Sequence, residues 1–266
     1  MAAVDKDVRK ALLEARAMTE AIIKADSNEA ETRSRIERMF ESLMGYNALT
    51  HITREHIIHG TGDSDYCDFA IQLEQGGKIV PVIIVEAKKV NIDLADRHVK
   101  QAASYGINTG CEWILLTNAR EWRIYHITFG QPPQAVLLDS WSLMNDDLSR
   151  LADKFELVSL KNIKRGGLDQ LWQKTNALTA QNLLKIILSE PSISMIRREL
   201  KRREKIALYP EEIISGIRRL LNESAMGELE NMKISLARKQ KQATAKPPTP
   251  APSAACTPPG ASSPPN

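Results

Sequence analysis

Disulfide and zinc chemistry have little to draw on in this sequence. The three cysteines, Cys67, Cys111 and Cys256, are odd in number, widely spaced and never paired as CxxC, so neither a disulfide framework nor a zinc site is implied. The five histidines, His51, His56, His59, His98 and His126, lack ligand spacing and read as structural or exposed. No apolar stretch approaches the roughly 20 residues needed to span a bilayer; the longest run, Ile79 to Val85, stops at Glu86. The first helical segment, Val4 to Lys24, is charged throughout and lacks the apolar centre of a secretory signal. These absences give the expectation of a cytoplasmic protein with no membrane partner. Internal repeats are absent too, as is any GxxxxGK[ST] phosphate loop.

What is present suits a globular fold. At 266 residues the chain can bury one or two cores without a structural metal. The overall charge of +3 conceals an asymmetry. Residues 1–160 carry 18 Lys and Arg against 24 Asp and Glu, residues 161–240 carry 16 against 9, and residues 241–266 carry 2 against none. An acidic front half suits carboxylates gathered around a cation, and a basic back half suits a polyanion.

Periodicity predicts helices over 4–24 and 29–44, the second with Glu29, Thr32, Ile36, Met39, Phe40 and Leu43 along one face. Asn28 and Glu31 resemble a capping box, and Gly45 is a stop. Strands are predicted over 50–58, 66–73, 78–88, 112–117, 121–128 and 134–139, with a helix from about Leu94 to Tyr105 between the third and fourth. Strands before and after a helix indicate an α/β sandwich with a mixed sheet. Trp113, Trp122 and Tyr125 read as core. Gly166-Gly167 reads as a joint, followed by helical patterns over 168–189, 192–205 and 210–238. The expected organisation is an N-terminal helix (1–26), an α/β domain (27–165), a basic helical region (166–242) and a disordered Pro/Ser/Ala-rich tail (243–266).

The chemistry sits at strand ends. Asp68 opens Asp68-Phe69-Ala70-Ile71 in the second strand, and the apolar third strand ends in Glu86-Ala87-Lys88. Residues i and i+2 of a strand share a face, so Glu86 and Lys88 project together while Ala87 packs behind. Two carboxylates brought together by paired strands repel, and a hard divalent cation relieves the repulsion; oxygen donors favour Mg2+, or Mn2+, over zinc. Such a cation can polarise a scissile phosphate and acidify a water, and Lys88 can steady charge on the phosphoryl oxygens. Glu29 can reach the metal through water, and the Gln101 amide can contact phosphate or order the attacking water. Each residue alone reads as an ordinary strand end, turn former or helix surface. Their order on the required elements is what points to catalysis.

That order resembles a known family. Glu29-Ala30-Glu31-Thr32-Arg33, Leu43-Met44-Gly45-Tyr46, Asp68-Phe69-Ala70-Ile71, Val85-Glu86-Ala87-Lys88-Lys89, Gln101-Ala102-Ala103-Ser104-Tyr105, Trp113-Ile114-Leu115-Leu116-Thr117-Asn118-Ala119 and Trp122-Arg123-Ile124-Tyr125 resemble the nuclease domain at the N-terminus of type I restriction-enzyme motor subunits. The resemblance covers about 27–160. It implies a PD-(D/E)xK restriction-endonuclease-like core, magnesium dependence and a DNA substrate. Ala119 stands where the family often has a turn glycine, and no helicase motif follows.

Two functions follow: a DNA endonuclease serving restriction or defence, or a non-cleaving nucleic-acid-binding or regulatory module that keeps the fold. In the helical half, Arg197, Arg198, Lys201, Arg202 and Arg203 form a basic run, interrupted by Glu199. It reads either as a DNA-holding face or as a solvated helix whose region docks a protein partner.

Overall fold

The computed structural model describes residues 4–58, 65–221 and 223–230, and divides into two compact units with the boundary between Leu183 and Leu184. The expected tail, 243–266, and the end of the third helical pattern, 231–238, lie outside the described residues. No helix among the described residues is long and apolar enough to cross a membrane.

In the first unit, α1 (Lys6–Lys24) buries Leu12, Ala15, Thr19 and Ile22, spaced as one helical stripe. The helix α2 (Glu29–Ser42) buries Thr32, Ile36, Met39 and Phe40, the face that the sequence predicts. Only half of its expected capping box forms. Asn28 Oδ1 accepts from Glu31 N at 2.9 Å, while the Glu31 carboxylate bonds forward to Arg35.

Six strands follow in sheet order β1 (Ile52–Ile58), β2 (Asp65–Gln75), β3 (Lys78–Ala87), β4 (Trp113–Thr117), β5 (Glu121–Thr128) and β6 (Gln134–Ser142). Every neighbouring pair is antiparallel except β3 and β4. Parallel strands need a long crossover, and α3 (Asp96–Thr109) supplies it.

Strand alternation then sorts the side chains into two cores. Phe69, Ile71, Ile83, Val85, Ala87, Leu115, Trp122 and Ile124 join the buried faces of α1 and α2. On the other face Ala70, Ile84 and Tyr105 form one cluster, and Ala102, Ile114, Leu116 and Ile127 another, beneath α3. The result is a helix–sheet–helix sandwich with a mixed sheet, the architecture expected from the sequence. Trp113, Trp122 and Tyr125 are buried in it.

Gly106 sets how closely α3 approaches the sheet. A Cβ there would lie 2.9 Å from the Cys111 carbonyl oxygen and 3.3 Å from Ile114 Cδ1. In an open helix, Gly→Ala stabilises by roughly 0.5–1 kcal/mol. Here Gly106→Ala is expected to destabilise by about 1–3 kcal/mol through overpacking. Urea unfolding that showed an unchanged or raised midpoint would disprove this close approach.

Two short helices, α4 (Leu148–Leu157) and α5 (Leu160–Lys164), lie in a stretch to which the sequence reading gives no element. The glycine pair does turn the chain, with Gly166 at φ +67°. It does not end the first unit, because α6 (Gly167–Ala177) folds back onto it. Leu168 is buried in the main core, and the Trp172 ring stacks 4.0 Å from that of His126. The predicted continuous helix over 168–189 is broken at Leu178-Thr179 before α7 (Ala180–Ile187). Asn182 Nδ2 and Thr179 Oγ1 both donate to the Asn176 carbonyl, at 2.7 and 2.9 Å, and so compete with helix continuation.

The second unit contains α8 (Glu190–Glu204), α9 (Pro210–Arg218) and α10 (Glu223–Glu230). Leu184, Leu188, Ile193, Ile213, Ile214 and Leu229 form its core. The regular elements among the described residues of this unit are all helices, as expected for the back half of the chain.

Candidate active site

Strand register brings the predicted carboxylates together. In the antiparallel β2–β3 pair Phe69 faces Val85, so Asp68 and Glu86 lie opposite each other one step further along. Glu86 shares a face with Ile84, whereas Val85 and Ala87 enter the other core. Past Ala87, Lys88 N still donates to the Thr117 carbonyl at 2.8 Å, which holds Lys88 against the end of β4.

The three side chains form a charged set in which Glu86 is buried and Asp68 and Lys88 are partly buried. Glu86 is only 2% exposed, and the Lys88 ammonium donates to its Oε1. Asp68 is engaged at both oxygens: Arg33 Nη1 donates to Oδ1 at 2.9 Å and Ala87 N to Oδ2 at 2.7 Å. Glu29 is half-buried in the first turn of α2, and its charge acts on Glu86, Lys88 and His98.

Acidic charge exceeds what the cations offset. Burial pushes the Glu86 carboxyl up to about 7; the Lys88 hydrogen bond opposes the rise, and Asp68 and Glu29 add to it. Burial disfavours the Lys88 ammonium, yet the bond and charge of Glu86, with Glu29 and Asp68, hold its pKa above the ordinary lysine value. Burial, then Glu86 and Asp68, push the Cys67 thiol up to about 12. A buried carboxylate with surplus negative charge beside it is the setting that a divalent cation relieves. Among the described residues no three or more His, Cys, Asp and Glu side chains are grouped to hold a metal ion. Magnesium retains several waters and is bound through one or two carboxylates, so the Asp68–Glu86 pair fits it without a third protein ligand.

Gln101 is placed differently from the other four. It is exposed on α3, and its Nε2 donates to the Tyr105 hydroxyl at 2.9 Å. Among the described residues no hydrogen bond joins it to Asp68, Glu86 or Lys88. His98, one turn earlier, is buried and senses Lys88; its pKa is lowered by burial, then by Lys88 and Arg97.

Sequence reasoning did not single out Arg33 or Glu55. Arg33 follows Glu29 by one helical turn, the spacing that could have flagged it. Glu55 lies 3.8 Å from Arg33 and is a non-glycine strand residue at φ +47°. Arg33, Arg54, Glu37, Glu55 and Asp68 line a cleft of about 380 Å³. A larger concavity in this unit, about 1000 Å³ beside Leu73, Ile79 and Trp113, lies at the opposite ends of β2 and β3 and is lined by none of Glu29, Asp68, Glu86, Lys88 and Gln101.

In the second unit the structure sorts the basic run on α8. Arg202 and Arg203 both donate to Glu199, Arg203 Nε at 2.8 Å. Among the described residues the Arg197, Arg198 and Lys201 side chains have no hydrogen-bond or ion-pair partner, and all three are exposed.

Residues 28–139 match the family model described as the type I restriction enzyme R protein N terminus. The matched stretch runs from the cap of α2 into β6 and contains Glu29, Asp68, Glu86, Lys88 and Gln101. The basic run of α8 lies outside it. No curated protein and no solved structure matches the chain.

Proposed function

We propose that this chain is a magnesium-dependent endonuclease that hydrolyses DNA phosphodiester bonds in restriction or defence, with manganese as an alternative ion. The observation that carries the reading is the pair of partly buried Asp68 and buried Glu86, opposed across β2 and β3, with Lys88 bonded to Glu86. The match over 28–139 to a restriction-enzyme domain supports it.

Asp68 and Glu86 would hold the ion, with Glu29 acting through water, and the ion supplies Lewis-acid polarisation of a phosphoryl oxygen and a more acidic water. The protein's own groups do the positioning. Arg33 and Ala87 N fix the plane of the Asp68 carboxylate from its two oxygens. Lys88 uses one of its three donors on Glu86 and offers the others to phosphoryl oxygens, where fixed positive charge favours the transition state. Gln101 lies outside this hydrogen-bonded set, and its role is contact with the DNA backbone rather than with the ion.

Supercoiled plasmid and circular single-stranded DNA, each incubated with pure protein in magnesium or EDTA, test the reading. Nicking in magnesium and none in EDTA is expected. If neither substrate is cut in magnesium or manganese, the chain is not this nuclease. One observation favours the non-cleaving alternative: Arg33 and Lys88 already neutralise Asp68 and Glu86 internally. Binding without cleavage in the same assay would establish that alternative.

A further inference from the structure

The second unit holds a cleft that lies outside the carboxylate chemistry. It encloses about 620 Å³ and is lined by Ser194, Arg197, Arg198, Lys201, Leu208 and Tyr209, among others. On α8, positions 194, 197, 198 and 201 follow the i, i+3, i+4, i+7 pattern of one helical face. Ile193, Ile196 and Leu200 turn instead into the core of the unit. Arg202 and Arg203, which share the single carboxylate of Glu199, do not line the cleft.

The opposite wall comes from the segment that follows α8. Lys205 ends that helix in the left-handed conformation at φ 56°, and the chain then runs without regular secondary structure to Tyr209, which caps α9. The cap uses the backbone: Tyr209 N donates to Glu212 Oε2 at 2.7 Å. Tyr209 is 69% exposed, the most exposed aromatic residue among the described residues. An exposed tyrosine is therefore held by its backbone at the edge of a cleft whose lining, among the described residues, carries three cations and no carboxylate.

We infer that this cleft binds single-stranded nucleic acid, with backbone phosphates on Arg197, Arg198 and Lys201 and a base stacked on Tyr209. A duplex offers phosphates to the cations, but its base faces are closed by stacking. Only an unstacked strand can use the ring and the cations together. This deepens the nucleic-acid-binding reading of the basic run and does not depend on cleavage, because binding can be measured without metal.

The test is fluorescence anisotropy of the full chain in EDTA with labelled oligo-dT, oligo-rU and a DNA duplex of equal length. Single strands are expected to bind more tightly than the duplex, and the stronger of the dT and rU signals identifies the natural strand. Tyr209→Leu and Tyr209→Ala should weaken single-strand binding by roughly tenfold, with Tyr209→Phe close to wild type. The triple change of Arg197, Arg198 and Lys201 to glutamine should flatten the log–log salt slope by about 2. The same charge removed elsewhere in this unit, at Lys185, Arg218 and Arg219, should change it much less. The altered side chains are exposed, and thermal melts of every variant confirm folding. Equal or tighter duplex binding overturns the inference. So do Tyr209→Leu and Tyr209→Phe variants that behave alike, or equal losses from the two glutamine triples.

Discussion

Glu86→Gln is expected to lower magnesium-dependent nicking of supercoiled plasmid at least about a hundredfold, the scale of removing one group that stabilises transition-state charge. The substitution is nearly isosteric, and its amide oxygen can still accept from Lys88, so Lys88 keeps the bond that holds it. The loss would therefore report the missing negative charge and not a displaced lysine. Lys88→Met tests the other partner: it removes the cation and leaves Glu86 buried, and a loss of similar size is expected. Asp68→Asn should behave alike, because one side-chain oxygen remains to accept a hydrogen bond while the charge is gone. Near-wild-type nicking by any one of the three, with normal circular dichroism, would remove that residue from the active site.

The site was legible where local spacing and strand pairing carry it. Asp68 and Glu86 meet because β2 and β3 form adjacent antiparallel strands whose register places them opposite each other. Lys88 follows from the two-residue period. Arg33 was not legible as a partner of Asp68, since the contact joins a helix to a strand 35 residues away and no short-range rule predicts such a pairing. Gln101 shows the reverse difficulty. Its helix is as predicted, yet a bond to Tyr105 four residues on occupies its amide nitrogen.

The fold shows the same division. Alternation and helical stripes mark the six strands and the first helices, but tertiary contacts set several limits. The last strand continues to Ser142 because Trp141 stacks on Trp122, with centroids 6.2 Å apart. Gly166 reads as a linker, whereas the following helix returns to the core through Leu168 and Trp172. Ala119 illustrates a local rule that held without its usual residue. It sits at φ +69° in the turn after β4, the conformation that favours glycine. Asn118 Oδ1 secures that turn, accepting from Arg120 N at 3.1 Å and Glu121 N at 2.8 Å.

In metal-free buffer Glu86→Gln is expected to stabilise the fold, and by more as the pH rises. In the unfolded chain Glu86 ionises at its ordinary value of 4.5, whereas in the folded protein burial raises it to about 7. Below pH 4.5 both states hold the proton and stability is undiminished. As the pH rises, the unfolded state releases the proton first, and wild-type stability falls until the folded carboxyl has ionised above about 7. That difference corresponds to roughly 3 kcal/mol at most. Glutamine does not titrate, so the Tm advantage of the variant should be small at pH 5 and reach several degrees at pH 8. Asp68→Ala should do the opposite. Both Asp68 oxygens are bonded, and truncation leaves Arg33 and Ala87 N without those acceptors, at a cost of about 1–3 kcal/mol. Repulsion between the two carboxylates alone would make both substitutions stabilising without metal, so the contrast in sign tests whether Arg33 has already relieved Asp68. Magnesium at pH 8 should then raise the wild-type Tm and leave that of Glu86→Gln nearly unchanged, because only the wild type retains the paired charges that bind it. A pH-independent gap between wild type and Glu86→Gln would show that Glu86 ionises normally in the folded protein. Equal magnesium stabilisation of both would place the ion somewhere other than between Asp68 and Glu86.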